Sequence, residues 1–284
     1  MTLTNNLYQK VAQGDLCKVS IPRTAKYLPS PSNLSKKAFG IRLVTNPAVV
    51  QLAKNGGFDA LFVDLEHSTL SVNDASQICT TALHIGITPF VRVPYQCGNG
   101  FVQRVLDGGA MGVVFPHIHN KEDAEAAVGI SKYPPQGFRS MTGQLPVFGL
   151  EPTPAKTIIE QTNAHASSVI LMIETKNSIE NVDEIASVDG VDVLLIGTND
   201  LALELGVPGQ FQSTKFREAL EKVSQSCQKH RKIVGLAGIY DAPEIQDWAL
   251  NTLGVRFILA QQDSGLIASA GKRCADSLSQ IYKN

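Results

Sequence analysis

Two acidic side chains stand where apolar runs break off: Glu174 closes Met172-Ile173-Glu174, and Asp200 closes Leu195-Ile196-Gly197-Thr198-Asn199-Asp200. Carboxylate oxygens are hard donors, and two of them with water and a chelating oxo acid complete the six-oxygen shell that Mg2+ or Mn2+ prefers. Such an ion would act as a Lewis acid on a ketone oxygen. The plainer alternative makes Asp200 the cap of a helix starting at Leu201-Ala202-Leu203 and Glu174 half of a rim ion pair. Phe90-Val91-Arg92 ends another run in a permanently charged planar fork, suited to a carboxylate and to offsetting enolate charge, or else to a structural ion pair. In Phe62-Val63-Asp64-Leu65-Glu66-His67, Asp64 could orient His67 and raise its basicity for proton transfer. Glu66 is the rival base or a helix cap, and a solvated surface role for His67 is the alternative. His117 and His119 have a spacing that could serve a softer metal, but lining a pocket is the preferred reading. His84, His165 and His230 fall on helix surfaces with no chemistry assigned.

Residues from separate runs can meet only if the runs are strands that end on one rim. Eight short β-rich runs occur, at Phe39 to Val44, Ala60 to Asp64, Thr88 to Val93, Gly112 to Pro116, Ser168 to Glu174, Val191 to Gly197, Ile233 to Ile239 and Val255 to Ala260. Between them lie helical stretches. Asp74 to Leu83 carries Ala75, Ile78, Ala82 and Leu83 at helical spacing, and Lys121 to Ile130 carries Ala124, Ala127 and Val128, with Asn73 or Asp74 and Asn120 as expected caps. Strand and helix alternating eight times predict a (β/α)8 TIM barrel over residues 38–284, whose strand C-termini build the site. Residues 1–37 are expected to be a short helix and an exposed Pro/Ser/Lys-rich connection. The long Pro-rich segment 133–155 is expected to shape the substrate entrance. Asn55-Gly56-Gly57 and Asp107-Gly108-Gly109 read as helix stops, and no phosphate-cradling glycine motif is present.

Composition narrows the remaining classes. With 43% hydrophobic and 18% charged residues and a formal net charge of −1, the chain can bury a sizeable core and offers no basic stripe for nucleic acid. Five scattered cysteines lack zinc-knuckle spacing and read as reduced thiols. No apolar leader or membrane-length run is seen, so no membrane partner is expected and the cytoplasm is the expected compartment.

The segments GGFDALFVDLEHSTLS, TPFVRVP, LDGGAMGVVFPHIHNKEDAEAAV, KYPPQGFR and IETKNSIENVDEIASVDGVDVLLIGTNDLALELG together resemble the HpcH/HpaI aldolase and citrate lyase family over roughly residues 38–270. The resemblance implies a phosphoenolpyruvate/pyruvate-type barrel carrying a class II pyruvate aldolase site. It implies Glu174 and Asp200 as metal ligands, Asp64 and His67 as the base dyad, Arg92 on the pyruvyl unit, and Gly197, Thr198 and Asn199 beside the oxo acid. It also implies homo-oligomers, with hexamers that exchange C-terminal helices. The chain departs from the family pattern at Thr198, where Pro is typical, and at Met172, where Gln is common. The stretch MTGQLPVFGLEPTP and the 18–37 insertion are also unusual, which leaves the acceptor open.

The expected activity is therefore reversible aldol cleavage of a 4-hydroxy-2-oxo acid to pyruvate and an aldehyde, with Mg2+ as the first expectation and Mn2+ or Co2+ as alternatives. Oxaloacetate decarboxylation, or bond formation of the macrophomate synthase kind, is the alternative at the same site. A barrel retained only as a binding protein is the alternative of another class.

Overall fold

The computed structural model describes residues 36–281. Within them eight parallel strands close on themselves in sequence order. They are β1 Lys36–Ile41, β2 Ala60–Asp64, β3 Thr88–Arg92, β4 Gly112–Phe115, β5 Ser168–Ile173, β6 Val193–Gly197, β7 Ile233–Ala237 and β8 Phe257–Gln262. The expected barrel is thus present. The expected N-terminal helix lies outside the described residues, as does the 18–37 connection except for Lys36 and Lys37, which open β1.

Strand periodicity divides each run between two cores. Phe62, Phe90, Val114, Ile170, Leu195 and Phe257 fill the barrel interior, while Leu61, Val63, Val91, Val113, Leu171 and Ile196 face the helices. Phe90 and Phe257 meet edge to face at 5.7 Å across the interior, and burying each ring contributes about 2 kcal/mol. A filled interior leaves the ends of the barrel as the places where polar groups can gather.

The helices show ordinary local causes. Helix α1 (Val49–Asn55) stops at Gly56. Helix α2 (Val72–Ile85) begins at Ser71, not at Asn73 or Asp74: Ser71 accepts from the Asp74 amide, and the Asp74 side chain returns the bond to the Ser71 backbone. Helix α3 (Asn99–Asp107) stops at Gly108, and α4 (Lys121–Ser131) is capped by Asn120 as expected.

Three expectations need correction. Strand β1 lies three residues earlier than expected and β8 two residues later. Lys36 is buried with its ammonium 3.2 Å from Asp59, so its stem belongs to the strand. Leu43, expected in β1, is 60% exposed. The third concerns residues 133–155, which do not shape an entrance. They follow α4 and pack at the opposite end: Arg139 reaches Asp107 at 2.6 Å, the Tyr133 amide donates to Asn163 Oδ1 at 2.8 Å, and Tyr133, Leu145, Val147 and Phe148 cluster with Met111 and Ala166, which precede β4 and β5. A segment that follows a helix returns to the N-terminal end of the barrel, however long it is.

The seam between β8 and β1 is closed by Asp263, the buried first residue of the C-terminal helix (Asp263–Ile281). Its carboxylate accepts from the backbone amides of Arg42, Leu43 at 3.0 Å, Val44 at 2.8 Å and Ser264 at 2.7 Å.

Candidate active site

The inward rows of neighbouring strands end in charge at one rim. On β2, Ala60 and Phe62 face inward and Asp64 follows in phase; on β3, Phe90 faces inward and Arg92 follows; on β5, Ile170 and Met172 lead to Glu174; and on β6, Val193 and Leu195 lead to Gly197. Asp64 and Arg92 are in register. Their side chains form a bidentate pair, Nε to Oδ1 at 2.9 Å and Nη2 to Oδ2 at 2.7 Å, with the guanidinium over the Phe62 ring. Arg92 Nη1 also meets Glu66 Oε2 at 3.0 Å and Met172 Sδ at 3.8 Å. Burial pushes the Asp64 carboxyl up, but the Arg92 fork and the backbone amides of His67 and Glu66 outweigh it and hold it below its ordinary 3.8.

The expected Asp64–His67 dyad is not formed. Asp64 spends its oxygens on Arg92 and on the main-chain amides of Glu66 and His67. The His67 ring, 59% exposed, lies instead with Nε2 3.9 Å from Glu66 Oε2. Two residues given secondary weight in the sequence are central. Glu66 faces Arg92 on one side and His117 Nε2 at 3.3 Å on the other. His117, in the left-handed region at φ 53°, turns both its amide (2.7 Å) and its Nδ1 (3.2 Å) onto Glu174 Oε1. Its ring meets Tyr95 edge on at 5.1 Å. The available signal was position: His117 follows the end of β4, the strand between those ending in Arg92 and Ile173-Glu174. His119 packs away from this centre, with Nδ1 3.3 Å from the Thr175 hydroxyl.

Glu174 is almost wholly buried. A methyl group on Gly197 would fall on Glu174 Oε2 and within 3.0 Å of Met172 Cε, so glycine is required for the carboxylate to lie across β6. Asp200 is not a helix cap: the helix after β6 spans Thr198–Glu204 with Gly197 at its cap, and Asp200 is exposed in its first turn. Thr198 is buried and bonds the Ala237 carbonyl at 2.8 Å, and Asn199 bonds that of Gly238. Burial raises Glu174 above its ordinary 4.5 despite the pull of His117, with Asp200 and Glu66 adding repulsion; burial likewise raises Glu66 against Arg92, His67 and His117.

No group of three or more His, Cys, Asp or Glu side chains that could hold a metal ion is found among the described residues. The Glu174–Asp200 pair nonetheless fits a hard divalent cation, because two acceptor-only carboxylates near a third, Glu66, concentrate negative charge that a cation would relieve. A two-carboxylate site leaves room for water and a chelating substrate.

Carboxylates and an arginine gathered on the C-terminal rim of a parallel eight-stranded barrel occupy the face on which barrel enzymes carry their active sites. The profile of the HpcH/HpaI aldolase/citrate lyase family matches residues 43–250, and the chain belongs to that family. It is 59% identical over 245 residues to a 4-hydroxy-4-methyl-2-oxoglutarate aldolase of Hapsidospora irregularis, covering 86% of this chain and 91% of the relative. It is 54% identical over 281 residues to one of Chaetomium globosum, covering 99% and 97%. The crystal structure of an HpcH/HpaI aldolase from Desulfitobacterium hafniense superposes with a TM-score of 0.81 at 26% identity, covering 97% of this chain and 96% of the other. The chain is an aldolase-type lyase of a metal-dependent family. None of its described helices is long and apolar enough to cross a membrane.

Proposed function

We propose that this protein catalyses the reversible aldol cleavage of 4-hydroxy-4-methyl-2-oxoglutarate to two molecules of pyruvate, using a divalent cation held by Glu174 and Asp200. The relatives at 59% and 54% identity support the substrate. The observation that carries the chemistry is the convergence of Glu174, laid across Gly197, with Arg92 on the same rim. Mg2+ suits the oxygen donors best, with Mn2+ and Co2+ as alternatives, and the ion would supply Lewis acidity at the 2-oxo group.

In the cleavage direction Arg92 positions the pyruvyl carboxylate with the outer edge of its guanidinium, the inner edge being fixed by Asp64. His67, solvent-reachable and beside Glu66, takes the C4 hydroxyl proton. The C4–O bond becomes a carbonyl, the C3–C4 bond breaks, and its electron pair is delocalised into the pyruvyl oxo group as an enolate, which is then protonated at C3. Gly197, Thr198 and Asn199 flank the oxo acid, with Thr198 and Asn199 anchored on the following strand's carbonyls.

Helix Asp263–Ile281 carries an apolar stripe, Ile267, Ala270, Cys274, Leu278 and Ile281, that is exposed, with Ile267 at 54% and Ile281 at 68%. This supports a homo-oligomer assembled through that helix, of which a hexamer is one form, and replacing Ile267 by Lys is expected to shift it towards monomer in analytical ultracentrifugation. The free thiols of Cys79, Cys97, Cys227 and Cys274 agree with a cytoplasmic setting.

The direct test incubates metal-stripped protein with pyruvate in D2O, with and without Mg2+ or Mn2+, following loss of the methyl proton signal by NMR. Metal-dependent exchange is expected. Its absence in folded, metal-loaded protein would overturn the reading.

A further inference from the structure

The donor half of the site is described above, but a substrate made of two pyruvyl units carries a second carboxylate, and Arg92 already faces two acidic groups. A second cation stands on the same rim. Arg42 follows the end of β1, with its backbone fixed by Asp263 and its side chain exposed. Its only hydrogen-bond partner among the described side chains is a neutral one, Gln262, at 3.3 Å from Nη1, and no described carboxylate pairs with it.

Gln262 is placed there by an irregularity. The β1–β8 register slips between Ala38 and Phe39, so that Ala38 pairs with Leu259 but Gly40 pairs with Gln262. An extra residue in a strand turns the following side chain to the other face. Gln262 thereby comes to the inward face, and its Cγ occupies the space where a Cβ on Gly40 would lie, 2.7 Å away. Tyr240, after β7, packs on the interior cluster with its hydroxyl near the Gln262 side chain. Its hydroxyl lies in the fields of both Arg92 and Arg42. Burial pushes that hydroxyl up to about 12 even so, which keeps it a neutral donor.

We propose that Arg42, Tyr240 and Gln262 form a second carboxylate grip at the barrel seam, which holds the distal carboxylate of a dicarboxylic 4-hydroxy-2-oxo acid and selects such substrates over their monocarboxylic counterparts. This rests on the aldolase reading above and deepens it. A guanidinium, a phenol and a primary amide supply N–H and O–H donors to one anion, and an arginine without an acidic partner is available for it.

The test compares two substrates that differ only at the distal group: 4-hydroxy-4-methyl-2-oxoglutarate and 4-hydroxy-4-methyl-2-oxopentanoate, which has a methyl in place of the carboxylate and yields pyruvate and acetone. The ratio of their kcat/KM values is measured with full-length, Mg2+-loaded protein. Arg42→Met is expected to lower that ratio about tenfold or more, chiefly through KM for the dicarboxylate, and Arg42→Lys to restore part of it. Tyr240→Phe, which removes one hydroxyl and little bulk, is expected to lower it about threefold and carries the test if Arg42→Met misfolds. An unchanged ratio in folded Arg42→Met, or equal losses on both substrates, would overturn the grip and leave the aldolase reading standing. A wild-type enzyme that exchanges pyruvate protons but cleaves neither compound would overturn both.

Discussion

The two ends of this barrel both bury charge, and they dispose of it differently. At the N-terminal end Lys132 and Asp192 lie 3.9 Å apart, each tied to main chain: Lys132 donates to the Asn163 carbonyl at 3.0 Å, and Asp192 accepts the Val169 amide at 2.8 Å. Lys232 beside them donates to the carbonyls of Val188 and Val191. These charges finish the hydrogen bonding of strand starts and helix ends. At the C-terminal end Glu66 and Glu174 face one another across His117, with Asp200 nearby, and burial raises both glutamates. Burial alone therefore does not mark a functional charge. The mark is a set of like charges that the chain brings together and only partly offsets, where a ligand must complete the balance.

If that contrast is right, removing a rim charge costs catalysis and removing one from the other end costs stability. The largest effect is expected for Glu174→Gln, which keeps an acceptor for the His117 amide but loses the ligand charge: pyruvate methyl exchange in D2O falls about a thousandfold with little change in Tm. Asp192→Ala strips Lys132 and the Val169 amide of a buried partner and is expected to destabilise the fold by about 3 kcal/mol in urea titration. Exchange per folded molecule should be unaffected. A Tm-neutral Asp192→Ala without activity would break the comparison. Gly197→Ala sharpens it, since the added methyl collides with Glu174 Oε2 and can be met only by moving the carboxylate. A displacement of this size is expected to lower exchange about a hundredfold, with near-native circular dichroism.

The barrel was legible because eight apolar runs alternate with helical stretches, and Asp64, Arg92 and Glu174 stand at abrupt polar ends of three of those runs, whereas Gly197 enters only through the family resemblance. Side-chain partnerships were less legible. Asp64 and His67 are close in sequence, which suggested a dyad, but the bidentate fit of Arg92 from the adjacent strand competes better for the carboxylate. His117 depends on a left-handed turn that no residue type announces. The seam differs from the hydrophobic pattern at both sides: that pattern places β1 at Phe39 to Val44, with Arg42 inside a strand, and ends β8 at Ala260, which leaves Gln262 out of it. The slip at Ala38/Phe39 has no signature in hydrophobic pattern, and it is the feature that sets Gln262 beside Arg42. The length of the 133–155 segment suggests an entrance loop, whereas its place in the βα order, after α4, decides which end it serves.

The smallest effect distinguishes the two buried aspartates by sign. Arg92 and two backbone amides hold Asp64 below 3.8, so the unfolded chain binds a proton there before the folded one does. The stability this contributes is complete above pH 3.8 and is lost as pH falls through the lower folded value. Asp192 behaves oppositely: burial raises it despite Lys132, the Val169 amide and Lys232. The folded state then takes up the proton first, and stability from that site declines as pH rises from 3.8 through the higher folded value. Tm measured from pH 6 to pH 3 should therefore fall less steeply below pH 4 in Asp64→Asn than in the parent. Asp192→Asn should instead flatten the profile above pH 4. Identical slopes in both variants would mean that neither carboxylate couples to folding, and that the two ends differ in geometry alone.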